Sequence, residues 1–254
     1  VANTWMPPSY TFYNPKARAY AYNFDQARQL LSQMGWRPGA DGILQRTMDG
    51  KTVRFELEFA TTAGRALRER VQQFLADNLK QVGIAVKINN APTANIVDDK
   101  YLPRGSTGAW TGGIMIAQFF APQTLEGDLF ACKNLVTGQQ VVANEANGFG
   151  GANDTGWCSD EYDRLYSQVL YEFDPTKRKA AFARMQEIFA EEVPYIPLYW
   201  RTASYVTRKG LVNYVASTFS GGLGIPNWAG WNIGWESRGA QKLYDQAQYA
   251  QTPK

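Results

Sequence analysis

Histidine is missing from this sequence altogether. Its absence removes every Ser-His and Cys-His mechanism and the commonest metal ligand, so any catalysis would need an unusual arrangement. Cysteine is nearly missing too, at two in 254 residues, Cys132 and Cys158. They could be buried thiols, a redox pair or a disulfide. Their spacing is too wide for a CxxC site and no zinc ligand set accompanies them, and a disulfide is the favoured reading. Neither sign of charge dominates: 26 Lys and Arg against 23 Asp and Glu leave +3, too little for a nucleic-acid footprint. No apolar run reaches the roughly 18 residues that a membrane-spanning helix needs. No signal peptide opens the chain, and Val1 is not a natural translation start, so a processed form or an excised fragment is expected. Nothing in the residues asks for a cofactor or a metal.

What is present is an α/β rhythm. A chain of 254 residues can bury a large core and hold one or two domains. Its centre is the stretch 57–88, LEFATTAGRALRERVQQFLADNLKQVGIAVKI, which reads as strand, loop, long helix, strand. Leu57 and Phe59 lead into a loop of Thr61, Thr62, Ala63 and Gly64. Leu67, Val71, Phe74, Leu75, Leu79 and Val82 then recur at the spacing of a helix that buries one face. Gly83 supplies the stop, since a residue tolerant of positive φ lets the chain turn off the helix. Ile84, Val86 and Ile88 alternate as the next strand. Such a unit predicts a right-handed βαβ crossover with parallel strands. The loop before its helix then lies at the carboxyl end of a strand, where open α/β sheets bind ligands.

The first 22 residues carry Pro7, Pro8 and Pro15 and no periodicity, as in a segment crossing between domains. Asn23 and Gln26 form a capping pattern for a short helix with Ala27, Leu30, Leu31 and Met34 as its stripe and Gly35 as its end. Asp49-Gly50 between two extended runs, 43–45 and 52–59, predicts a hairpin. A short helix over 95–101, a buried strand around Ile114 to Ile116 and a short helix through Leu125, Leu129 and Phe130 follow. Residues 133–157 form a long Gly- and Asn-rich loop bracketed by the cysteines. Ser159 caps a helix with Tyr162, Leu165, Tyr166, Val169, Leu170 and Phe173 on one face. Asp174-Pro175 starts another, lined by Phe182, Met185, Phe189 and Val193, on which charges such as Glu187 and Glu191 read as a solvated face. Pro194 ends that helix, and 195–206 reads as a long strand. The aromatics, 14% with eight Trp, serve packing first and a ligand-stacking cleft second.

Taken in order, MPPSYTFYNP, NFDQARQLLSQMGW with its hairpin, LADNLKQVGIAVKI, TGWCSDEYDRLYSQVLYEFDPTKRKAAFARMQEIFAEEVPYIPLYW and TRKGLVNYV resemble the family 5 extracellular solute-binding proteins of ABC importers, the oligopeptide and dipeptide class. The likeness runs over about 5–215 and only to the carboxyl-terminal half of such proteins. It implies an α/β fold: a periplasmic-binding-protein-like lobe, a mixed sheet flanked by helices, as a fragment of a two-lobed type II binding protein. Residues 1–22 would be the crossover from the missing lobe, 23–209 the ligand-binding lobe, and 210–254 the return segment and tail. It further implies a bacterial, periplasmic or extracytoplasmic protein, monomeric and not an enzyme. Its lobes would close on a peptide or small-molecule solute and present it to a membrane permease.

Departures from the pattern bear on the ligand. Peptide-binding members carry a Trp and a carboxylate for the peptide α-ammonium on the strand that resembles GGIMIAQFFAP; here Met115 and Gln118 stand at those positions. An unpaired buried ammonium costs several kcal/mol by order of magnitude, and Gln118 offers no charge. Expected ligand contacts are Arg65 and Arg68 near a helix amino terminus suited to an anion, Met115 and Gln118 on the strand, and Phe119 or Phe120 as an apolar wall. The same arginines could instead be surface residues of a packing helix. A solute sensor without transport is the alternative function; a hydrolase and a nucleic-acid binder are disfavoured by the missing nucleophile-base pair and by charge.

Overall fold

The structure is a computed structural model, which describes residues 2–8, 10–90, 92, 113–115, 127, 130–132, 153, 155, 157–200, 206–214 and 233–243. By contact the chain divides into two compact units. One comprises Tyr20–Gln118 with Phe130–Ser159; the other comprises Val1–Ala19, Phe119–Leu129 and Asp160–Lys254.

The first unit starts with helix α1, Phe24–Gln33, whose Asn23 side chain accepts the Gln26 backbone N–H as an N-cap should. Its expected apolar stripe is not buried: no α1 residue is, and Leu30 and Met34 are exposed. Short β1, Arg37–Pro38, pairs antiparallel with β2, Leu44–Met48, which pairs antiparallel with β3, Lys51–Arg54. Asp49 and Gly50 make the turn, both at positive φ as a two-residue hairpin requires. Trp36 stacks on Phe55 with centroids 4.4 Å apart, and the Arg46 guanidinium lies over the Trp36 ring.

Strand β4, Glu56–Ala60, helix α2, Ala66–Gln81, and β5, Ala85–Ile88, form the βαβ unit at the centre, and β4 and β5 are parallel. Strand β6, Gly113–Met115, pairs parallel with the other edge of β4, giving the order β5-β4-β6. Phe59 and Ala60 in the middle strand are fully buried. The buried face of α2 differs from the stripe predicted for it. Leu67 and Phe74 are exposed, and Gln72 is the residue of α2 that is buried. At about 100° per residue, Leu75 and Leu79 fall within about 60° of Gln72, while Phe74 stands about 200° round from it. The inward face is centred on Gln72 because its amide bonds to the Phe59 carbonyl of the sheet. Cys132 and Cys158 are joined in a disulfide, with Cα atoms 4.9 Å apart. The helix expected at 95–101, most of the one expected through Leu125, Leu129 and Phe130, and most of the loop 133–157 fall outside the described residues; Phe130 itself is described and buried.

The second unit is built on helices α3, Asp160–Tyr171, and α4, Pro175–Glu192. Asp174 caps α4 by accepting the Thr176 and Lys177 N–H groups, and Pro175 occupies the first helical position, where no N–H is needed. Tyr162, Tyr166 and Val169 of α3 are buried, as are Phe182, Met185 and Phe189 of α4, while Phe173 at the end of the expected stripe is exposed. The amino-terminal segment packs on α4: Phe12 stacks on Phe182 at 4.8 Å, and Trp5 meets Phe189 edge-on at 5.1 Å. Glu187 and Glu191 lie within ion-pair distance of Arg184 on their own helix. The strand expected from Tyr195 is absent over 195–200. Val193 leaves α4 in the left-handed region, and Pro194 and Pro197 lack the N–H groups a ladder uses. Strands β7, Leu211–Val212, and β8, Gly234–Trp235, pair antiparallel beside Asn213, whose buried side chain bonds to Gln241 and Leu243.

Candidate functional site

The parallel register brings the carboxyl ends of β4, β5 and β6 to one edge of the sheet, the place where such sheets bind ligands. Three segments meet this edge among the described residues: the loop 61–65 after β4, Asn89 and Asn90 after β5, and Met115, which pairs with Ala60 at the end of β6.

Polar side chains tie two of these segments together. Gln72, 1% exposed, reaches from α2 so that its Nε2 donates to the Phe59 carbonyl and to Asn90 Oδ1, each at 2.8 Å. Asn90 Oδ1 also accepts the Thr61 backbone N–H at 3.1 Å. The ladder runs on as the Asn89 N–H donates to the same Phe59 carbonyl at 3.0 Å, and Asn89 Nδ2 donates to Glu58 Oε1 at 2.7 Å. The Phe59 carbonyl and Asn90 Oδ1 thus have two donors each, as burial in a low dielectric favours.

The arginines flank the knot. Arg68 Nη1 donates to Thr62 Oγ1 at 2.8 Å, which holds the half-buried guanidinium against the loop. Arg65 is exposed at the N-cap position of α2 and makes no capping bond. Neither has a carboxylate partner among the described residues. The amino terminus of α2 is less open than expected, because the Gly64 N–H donates to Glu69 Oε1 at 2.8 Å. A carboxylate of the chain itself thus sits where an external anion would approach the helix dipole. Gln118, Phe119 and Phe120 lie outside the described residues, and of Met115 only the backbone is described. Gln72 and Asn90 were missed by the pattern reading. The signal that finds Gln72 is its place in line with Leu75 and Leu79, a polar residue at the centre of an apolar face.

A parallel α/β sheet with a polar carboxyl edge defines a class of ligand-binding lobe, and comparison with known proteins identifies it further. The model of the bacterial extracellular solute-binding proteins, family 5 (middle region), matches residues 1–134, and the chain belongs to this family. The chain is 25% identical to oligopeptide-binding protein AppA of Bacillus subtilis over 197 residues, 77% of this chain and 32% of that protein. It is 50% identical to an oligopeptide-binding protein of Thermus thermophilus, solved in complex with a pentapeptide, with a TM-score of 0.82 over 100% of this chain and 42% of that one. A periplasmic oligopeptide-binding protein of Thermotoga maritima, solved with mannohexaose, shares the fold at 20% identity and a TM-score of 0.61, over 85% of this chain and 39% of that one. The chain spans about a third of the length of the curated relatives it matches.

Proposed function

We propose that the protein is the substrate-binding component of an ABC importer, acting as a monomer in the periplasm or another extracytoplasmic space. It takes a peptide or similar medium-sized solute between two lobes and delivers it to a membrane permease. The observation that carries this reading is the polar carboxyl edge of the sheet in a chain that belongs to a solute-binding family. The pentapeptide bound by the Thermus relative supports a peptide-sized ligand. In this reading residues 23–209 form the ligand-binding lobe, and 1–22 and 210–254 cross to its partner. Arg65, Arg68, Met115 and Gln118 face the solute, with Phe119 or Phe120 as an apolar wall. Two arginines without carboxylate partners among the described residues and a glutamine in place of an acid favour a ligand neutral or anionic at this lobe.

Calorimetry on the full two-lobed protein tests this, with pentapeptides carrying free or acetylated amino termini. The acetylated peptide is expected to bind at least as well as the free one, and Gln118→Asp to shift the preference toward the free amine. Tight binding of the free-amine peptide that Gln118→Asp leaves untouched would remove Gln118 from the site. This chain alone is expected to bind far more weakly than the full protein, since half the contacts face the same association entropy.

A further inference from the structure

The knot at the sheet edge leaves one group unspent. Asn90 Oδ1 accepts two hydrogen bonds, from the Thr61 N–H at 3.1 Å and from Gln72 Nε2 at 2.8 Å. Two donors on one oxygen fix the orientation of the Asn90 amide, since the flipped amide would set its own N–H groups against both. The Nδ2 group is therefore turned the other way, and among the described residues it has no partner. Asn90 is half-buried and stands two residues beyond the end of β5, on the carboxyl edge.

We propose that Asn90 is a ligand-contacting residue whose Nδ2 donates to an uncharged oxygen of the solute, a peptide carbonyl or a sugar hydroxyl, and that Gln72 is the positioning residue that aims it. The assignment rests on the solute-binding reading given above. The chemistry follows from what an amide N–H can do: it donates without charge, so it selects an acceptor oxygen and gives nothing to an ammonium. Gln72 suits positioning better than stability. The Phe59 carbonyl also accepts from the Asn89 N–H, and Asn90 Oδ1 also accepts from Thr61. Losing Gln72 to a leucine therefore strands no buried acceptor and adds apolar area on a face already lined by Leu75 and Leu79. What disappears is the second donor that holds the amide.

The test uses the full two-lobed protein, with a pentapeptide of uncharged side chains and mannohexaose as probes. Asn90→Asp keeps an oxygen for both Thr61 and Gln72 but replaces the donor with an acceptor. It is expected to weaken binding of the recognised probe roughly tenfold or more, equivalent to about 1.4 kcal/mol. The thermal midpoint should stay within a few degrees. Gln72→Leu is expected to weaken binding several-fold at near-parent stability, with faster hydrogen exchange at the Thr61 amide, and whichever probe loses affinity identifies the oxygen as carbonyl or hydroxyl. A parent that binds while Asn90→Asp binds equally tightly overturns the contact at Asn90. Unchanged binding by Gln72→Leu overturns the positioning role. A parent that binds neither probe overturns the solute-binding reading, and the contact with it.

Discussion

The Gln186 side chain accepts the backbone N–H of Asn14 at 3.0 Å, across 172 positions of sequence. The same amide accepts from the Thr4 hydroxyl and donates to the carbonyls of Phe12 and Phe182, and it is fully buried. One side chain on α4 thus fastens an amino-terminal segment that has little regular structure of its own. Replacing Gln186 with leucine is expected to cost roughly 2–4 kcal/mol, because a buried N–H and carbonyl lose their partners together. Urea unfolding followed by tryptophan fluorescence would show it as a lowered midpoint. A shift smaller than that of a surface Gln substitution on the same helix would mean that Phe12 and Trp5 hold the segment without it.

Local rules made much of this fold legible, and side-chain geometry made the rest illegible. Asn23, Asp174 and the Asp49-Gly50 turn act within a few residues of themselves, so their effect is written in adjacent positions. Strands β4 and β5 and helix α2 follow from periodicity. Which way α2 faces does not. Leu67 and Phe74 weigh more in a hydrophobic pattern than Gln72, yet the sheet edge offers Gln72 an acceptor that no leucine can use. Over 195–200 the apolar run from Tyr195 failed as a strand for a related reason: composition favoured it, and the prolines remove N–H groups that a ladder would use. At the candidate site the loop after β4 and its arginines were readable from position along the chain. The bond that commits Glu69 to Gly64 was not, because it depends on which rotamer a glutamate adopts.

Among the described residues, two ties hold the base of the 133–157 loop. One is the Cys132–Cys158 disulfide; the other is Asn153, whose Nδ2 donates to the carbonyls of Ala131 and Trp157, the residues just before each cysteine. They act on different states. The disulfide restricts the unfolded chain and contributes roughly 3–4 kcal/mol in the chain-entropy model, whereas Asn153 acts only when folded. Neighbouring sites usually couple by about 0.5–3 kcal/mol, but with the two ties acting on different states Cys132→Ala with Cys158→Ala should instead add to Asn153→Ala within about 0.5 kcal/mol in chemical unfolding. A strongly non-additive cycle would show that the bond mainly sets native geometry. Mass spectrometry of the unreduced protein should find no alkylatable thiol.

Acid should weaken the bridge between α3 and α4. Arg184 donates to both oxygens of Glu161, at 2.8 and 3.2 Å, and these hydrogen bonds, with charge attraction behind them, lower the Glu161 pKa. A carboxyl whose folded pKa lies below its unfolded value contributes stability above the unfolded value and loses it as pH falls through the folded one. The loss therefore falls below about pH 4, near and under the ordinary glutamate range. Asp41, lowered by its hydrogen bond to Arg54, behaves in the same direction. Both pairs are exposed, so the effect should be small and should shrink in salt. An NMR titration should place the Glu161 midpoint below that of a model glutamate, and Arg184→Met should raise it. An unmoved midpoint would rule out the pair as the cause.

Gly83 links the helix stop to the packing of the hairpin. It sits at φ +84 after α2, its carbonyl accepts the Leu44 N–H at 2.8 Å, and a Cβ there would stand 2.8 Å from Leu44 Cγ and 3.0 Å from the Gly42 carbonyl oxygen. Gly83→Ala would thus meet two penalties. The left-handed backbone alone costs an L-residue about 1–2 kcal/mol. The contact adds more, since the buried Leu44 side chain can yield a few tenths of an ångström but the Gly42 backbone cannot without disturbing β2. Gly50, at φ +73 in the hairpin turn, has nothing near its missing Cβ and carries the first penalty only. Gly83→Ala should therefore destabilise by roughly 2–4 kcal/mol and Gly50→Ala by about 1–2 kcal/mol, read from denaturant midpoints at constant slope. Equal costs would mean that the hairpin moves freely against the end of α2. A larger cost at Gly83, partly relieved by Leu44→Ala in the same chain, would locate the strain in that contact.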